Sequence, residues 1–256
     1  MTQTPSFEEF LSLIEDRSAA LREAAAAAPD LGIRVPSCPD WSLRDLIAHL
    51  TEVQNFWAAA VNAGPSEQPP TVAEAPAELL AATEELVAAL RKSGPESRCW
   101  TWWGASGAPM TAGAVARRQV QEAAVHAFDA QLAVGAPQPV PTAIALDGIA
   151  EFISVVHGSS GAWPHEPARI SLHATEGRSW LLDLTPTGAR LLDSPAIADE
   201  RLYGPASDLL LTLYGRLPLE GPGTGGVDTE GVRTEGVGAE GAGTVLRRLL
   251  DWPPLD

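Results

Sequence analysis

Glu122 and His126 stand four residues apart in a segment of helical periodicity, so their side chains lie one turn apart on one face and can both reach a single ion. Arg118 and Asp129 extend that face into a polar strip, while Val120, Ala124, Phe128 and Leu132 around it are small or apolar. A polar strip inside a helical bundle needs partners. His49 offers one: it falls between Leu46 and Val53 at the margin of another helix's apolar stripe, where a side chain points obliquely inward. Two imidazoles and one carboxylate from facing helices leave a coordination position open, the arrangement of a catalytic rather than a structural zinc site. Asp45 and Asp129 each lie about one turn from a candidate histidine and could orient its ring from the outer side. Asp45 could equally serve only the first turn of its helix. The spacing by itself is also that of an ordinary surface pair, with His49 a hydrogen-bonded histidine at a bundle edge, and spacing does not decide between the two readings.

The other reactive residues carry weaker signals. Cys38 lies in a proline-flanked loop with no base readable nearby and reads as a small packed residue. Trp100, Trp102 and Trp103 cluster just before the helix that bears Glu122. Trp102 and Trp103 are the candidates for binding a cosubstrate, and sealing the end of the bundle is the alternative. His157, His165 and His173 share no common face. With the same three ligands and Glu52 or Asp45 as general base, activated water would make a hydrolase instead. A non-catalytic ligand-binding module is the remaining alternative.

Helices must position these side chains. Ser6-Phe7-Glu8-Glu9 has the form of a capping box, and Phe7, Phe10, Leu11, Ile14 and Leu21 then recur at helical spacing towards Pro29. After the turn-rich stretch from Pro36 to Asp40, a second helix from Trp41 to Val61 sets Leu43, Leu46, Ile47, Leu50, Val53, Trp57 and Val61 on one stripe. Pro76 suits the first turn of a third helix ended by Gly94, and a fourth runs from about Thr111 to Val134. The expected fold is thus an up-and-down four-helix bundle with an appended helix from Thr142 to Val156, together a domain over residues 1–160. From Gly161 the period becomes two: Ile170, Leu172 and Ala174 alternate with polar neighbours, and Trp180 to Leu184 follows across a Glu176-Gly177 turn. A strand at Leu191-Leu192 and helices at Pro205 to Tyr214 and Thr244 to Trp252 make residues 161–256 a small α+β domain. Within it, pentapeptides beginning at Gly226, Gly231 and Gly236 mark a glycine-rich insertion over 220–243, expected to be a flexible loop with no chemistry.

Composition narrows the partners. A formal charge of -16 over 256 residues would repel phosphate backbones and anionic lipid, so neither nucleic acid nor a membrane surface is expected. The two cysteines are far apart and fit no metal or disulfide pattern, as in a reducing cytoplasm. The first residues have no signal-peptide pattern, and no apolar run approaches the roughly 20 residues that span a bilayer. A soluble cytoplasmic protein, monomeric or weakly dimeric, is the expectation.

Three stretches together resemble a known family. Val35-Pro-Ser-Cys38-Pro-Asp-Trp41 runs into the helix of His49, and this resembles the first signature of the mycothiol-dependent maleylpyruvate isomerase family, a Cys-Pro-x-Trp turn leading to a metal-binding histidine. The segment from Arg117 to Asp129 resembles the second signature, in which a glutamate and a histidine, here Glu122 and His126, complete the ligands. Gly204 to Pro218 is similar to the family's carboxy-terminal domain, where an arginine is implicated in activity; that role passes to Arg216, which a helix carboxy terminus would favour in any case. The resemblance implies a DinB-like metal-binding bundle followed by a sterol-carrier-like domain. It also implies zinc or another divalent metal, mycothiol as a low-molecular-weight thiol cosubstrate, and a small electrophile or unsaturated acid as second substrate. The long insertion departs from the family's pattern and leaves the last strand of the second domain open.

Overall fold

The computed structural model describes residues 4–73, 75–193, 196–219, 238–240 and 243–252. Backbone contacts divide the chain into a helical unit, Pro5–Gly104 with Pro109–Gln138, and a second unit that is mainly Pro139 onward. No helix among the described residues is long and apolar enough to cross a membrane.

The helical unit contains α1 (Phe7–Ala27), α2 (Leu43–Ala63), α3 (Leu79–Ser93) and α4 (Ala112–Ala133). Helix α1 starts where the Glu9 N–H donates to the Ser6 hydroxyl and the Ser6 N–H donates to the Glu9 carboxylate. The same reciprocal cap starts α2. The Ser42 N–H and hydroxyl donate to Asp45 at 2.8 and 2.6 Å, which accounts for Asp45 as a helix cap and settles which of its two expected roles it fills. Leu11, Ile14, Leu21, Leu43, Leu46, Leu50, Leu86 and Leu90 are fully buried, as the 3.6-residue stripes require. One polar knot joins three of these helices: Gln54 donates to Ser18 at 2.8 Å and accepts from Thr83 at 2.7 Å.

The stretch expected to be only a turn forms a ribbon. β1 (Arg34–Val35) pairs antiparallel with β2 (Cys38–Ser42), and β2 runs directly into α2. Pro36 and Pro39 hide the strand pattern in the sequence, because proline suppresses the alternation by which strands are read.

The division into units falls at Gln138/Pro139, not near residue 160. Helix α5 (Thr142–Phe152), the expected appendage of the bundle, packs against α6 (Ala206–Leu213) in the second unit and ends in a π turn, Ile153–His157. The reason is its pattern: Ile144, Leu146, Ile149 and Phe152 are all buried, so apolar residues lie around most of its circumference and need cover on several sides.

The second unit is built on a sheet of order β5-β4-β3-β6-β7. β3 (Ala168–Ala174) and β4 (Ser179–Thr185) form the expected hairpin, turning at Gly177, whose φ of 90° suits only glycine. β5 is Gly188–Leu191, and β6 (Glu200–Gly204), which sequence periodicity did not reveal, lies parallel to β3. Five residues with one charged side chain in the core give no alternation to read: Glu200 is buried because its carboxylate accepts the N–H groups of Thr244, Val245 and Leu246 at the start of α7 (Thr244–Leu250). Gly238–Glu240 forms β7 against β6, so the last strand is present within the stretch expected to be loop; the rest of the 220–243 insertion, apart from Gly243, lies outside the described residues.

Candidate metal centre

His49 on α2 and Glu122 and His126 on α4 come together in the helical unit. Nε2 of His49 is 3.3 Å and Nε2 of His126 is 3.2 Å from the same oxygen, Oε1 of Glu122. One ligand atom from each residue lies within 4.8 Å of the others, and the two imidazoles meet edge to face with centroids 5.0 Å apart. Those separations fit a divalent ion held by two imidazole nitrogens and a carboxylate oxygen, with further positions open to solvent or substrate.

Neighbouring side chains hold the ligands in place. Asp129, wholly buried, accepts at 2.9 Å from Nδ1 of His126 and at 2.6 Å from the Ser37 hydroxyl. This puts the proton of His126 on Nδ1 and aims Nε2 at the cluster, the carboxylate–histidine arrangement of metal sites. Asp129 thus takes the orienting role that its spacing allowed, and Asp45 does not. Arg118 donates to the second carboxylate oxygen of Glu122 at 3.0 Å. The Trp41 ring, on β2, packs 4.7 Å from that of His49, so the strand before α2 buttresses this imidazole.

The charges of the cluster interact strongly. Burial would raise the pKa of Glu122, but hydrogen bonds from His126 and His49 and the charge of Arg118 hold its carboxyl well below the usual carboxylate range. Burial disfavours the charged form of His126, yet its hydrogen bonds to Asp129 and Glu122 lift its pKa to about 9. Two carboxylates therefore favour a positive charge on His126, and a metal ion held at its Nε2 would take the place of a proton.

The cluster opens on a cleft of about 340 Å³ lined by His49, Glu52, Val53, Phe56, Trp57 and Trp102. Of the two tryptophans expected at a cosubstrate pocket, Trp102 stands on the cleft with 44% of its surface exposed. Trp103 does not line it: the residue is fully buried, donates its indole N–H to the Pro109 carbonyl at 3.0 Å and supports Trp102 from below. Glu52, expected from the sequence only as a candidate general base, and Phe56, which carried no signal, stand on this wall three and seven residues after His49.

The remaining expected site residue belongs to the second unit. Arg216 follows α6 and donates to the Tyr214 carbonyl at 2.8 Å, as a cation at a helix end does. Among the other histidines, His173 bonds Ser171 and Ser179 on the sheet, and His157 is buried against Phe152 and Trp252.

A helical unit bearing a two-histidine, one-glutamate cluster that could hold a metal ion is followed by a small mixed sheet. Residues 11–131 match the family profile described as the mycothiol maleylpyruvate isomerase N-terminal domain, and residues 143–238 match that described as the MDMPI C-terminal domain. The chain belongs to the mycothiol-dependent maleylpyruvate isomerase family. Its fold is similar to the crystal structures of a mycothiol-dependent maleylpyruvate isomerase (TM-score 0.54) and of a histidine-to-alanine variant of a mycothiol-dependent maleylpyruvate isomerase (TM-score 0.55). Each is 16% identical, covering 83% of this chain and 90% of the other. A search among curated proteins finds no match.

Proposed function

We propose that this chain is a zinc-dependent enzyme that uses mycothiol as nucleophile, either to isomerise a maleylpyruvate-like double bond or to transfer sulfur to an electrophile. The observation that carries the reading is the convergence of His49, Glu122 and His126 within 4.8 Å beside an open cleft. Zinc held by these three residues would act as a Lewis acid on the thiol, lowering a pKa ordinarily near about 8.5 so that thiolate is present at neutral pH.

The chain's own residues do the rest. Asp129 keeps the His126 proton on Nδ1, and Arg118 holds the Glu122 carboxylate in one orientation. Trp102 and its aromatic neighbours shield one side of the reacting groups from water. Arg216 is assigned to binding a substrate carboxylate, for which a guanidinium fork is suited. In isomerisation the thiolate adds to the conjugated double bond, the resulting single bond rotates, and the thiolate leaves. In transfer the new carbon–sulfur bond remains. Neither Cys38 nor Cys99 is held in a disulfide, in keeping with a cytoplasmic enzyme.

The test is to purify the protein without chelator, determine its metal content, and assay turnover of maleylpyruvate and of a generic electrophile with and without mycothiol. Near-stoichiometric zinc and thiol-dependent turnover are expected. Turnover independent of thiol would favour a hydrolase, and metal content near zero would sink every catalytic route described.

A further inference from the structure

We infer that the cleft beside His49 receives an uncharged, apolar part of the electrophile, so that this chain favours sulfur transfer to a neutral aromatic or alkyl compound over isomerisation of a dicarboxylate. The inference rests on the thiol-enzyme reading above and names the substrate class for it. Four of the six lining residues are Val53, Phe56, Trp57 and Trp102. Among the described residues that line the cleft, Glu52 is the acidic one and no lysine or arginine takes part.

The apolar wall is preformed. Trp102 stands edge-on to Trp103 at 5.2 Å and 89°, and Trp103 is itself fixed by its bond to Pro109. Phe56 packs against Trp57 and Trp100 at 5.4 and 5.5 Å. An exposed indole held on a rigid aromatic platform offers a stacking face at little entropic cost. The volume, about 340 Å³, suits one or two rings.

A dicarboxylate meets the opposite conditions. Its carboxylate would lose water against aromatic walls and face the Glu52 carboxylate on a chain of net charge -16. For a neutral aryl chloride the chemistry balances without a further reagent. The thiolate sulfur attacks the ring carbon, a carbon–sulfur bond forms, chloride leaves with the bonding pair, and the thiol proton passes to solvent.

Two measurements test this on the intact protein. N-phenylnaphthylamine, a neutral fluorescent probe, should bind without thiol; maleate should not displace it, and Trp102→Ala should weaken it by about two- to tenfold while Trp102→Phe retains most of the affinity. With mycothiol, kcat/KM should be higher for chlorodinitrobenzene than for maleylpyruvate, and Glu52→Gln should raise the value for maleylpyruvate by up to about tenfold without changing probe binding. A preference for maleylpyruvate, displacement of the probe by maleate, or indifference of the probe to Trp102→Ala would overturn the inference. Probe binding that depends on Trp102 in a protein with neither zinc nor turnover would instead defeat the thiol-enzyme reading and support the apolar character of the cleft.

Discussion

Nε2 of His49 lies 3.3 Å from Oε1 of Glu122, although 73 residues separate the two in the chain. The histidine and the glutamate meet across two helices, with a second histidine on the same carboxylate oxygen and an arginine on the other.

Removing one ligand should empty the site without dissolving the bundle. His126→Ala is expected to reduce zinc from near one per chain to near zero and abolish thiol-dependent turnover, with helix content by circular dichroism retained. Glu122→Gln should also lose zinc and, by removing the charge that Arg118, His49 and His126 share, lower stability by about 3 kcal/mol in denaturant unfolding. Full zinc content in His126→Ala would remove that histidine from the ligand set.

Asp129 and Asp45 both lie near a ligand histidine in sequence, and their variants should separate. Asp129→Asn is expected to weaken zinc affinity by about 10- to 100-fold in competition with a chromogenic chelator. Ser42→Ala, which breaks the reciprocal cap with Asp45, should cost about 1 kcal/mol of stability and leave zinc affinity unchanged. Equal zinc affinities in the two variants would contradict an orienting role for Asp129.

Acid should destabilise the second unit through His157. Burial depresses its pKa from 6.5 to about 3, against a small opposing pull from the Trp252 backbone, and its ring stacks on Trp252 at 5.5 Å. The unfolded chain takes up a proton near pH 6.5 that the folded unit refuses until about pH 3, so the buried ring carries no penalty above pH 6.5 and stability falls progressively as pH drops through that window. Its share of the slope approaches about 1.4 kcal/mol per pH unit. His157→Phe should flatten the acid limb of stability against pH, measured by chemical denaturation between those values; an unchanged limb would assign the acid sensitivity elsewhere.

Arg216→Ala should raise KM for a carboxylate-bearing substrate and leave turnover of a neutral electrophile nearly unchanged. Arg216→Lys should restore little, since an ammonium lacks the two-pronged geometry of a guanidinium. Equal losses on both substrates would point to a structural role through the Tyr214 carbonyl.

The long helices were legible from residue types alone, because a stripe of leucines at helical spacing, begun by Ser6 with Glu9 or Ser42 with Asp45, has few other ways to satisfy both its apolar face and its first amides. The hairpin at Glu176-Gly177 was legible for a similar local reason. Helix spacing also named Glu122 and His126 as neighbours and His49 as a third candidate for one zinc ion, and the resemblance to a family favoured that reading over an ordinary surface pair. Three matters were settled only by tertiary structure. Whether His49 reached Glu122 or stayed at the bundle's edge depended on how α2 packs on α4, and local periodicity carries no information about that distance. Trp102 and Trp103 are adjacent and chemically identical, yet one lines a cleft and the other is sealed beneath it, since burial is decided by neighbours distant in sequence. The helix from Thr142 left the bundle for the sheet because its apolar surface, too broad for a single stripe, is covered there by α6.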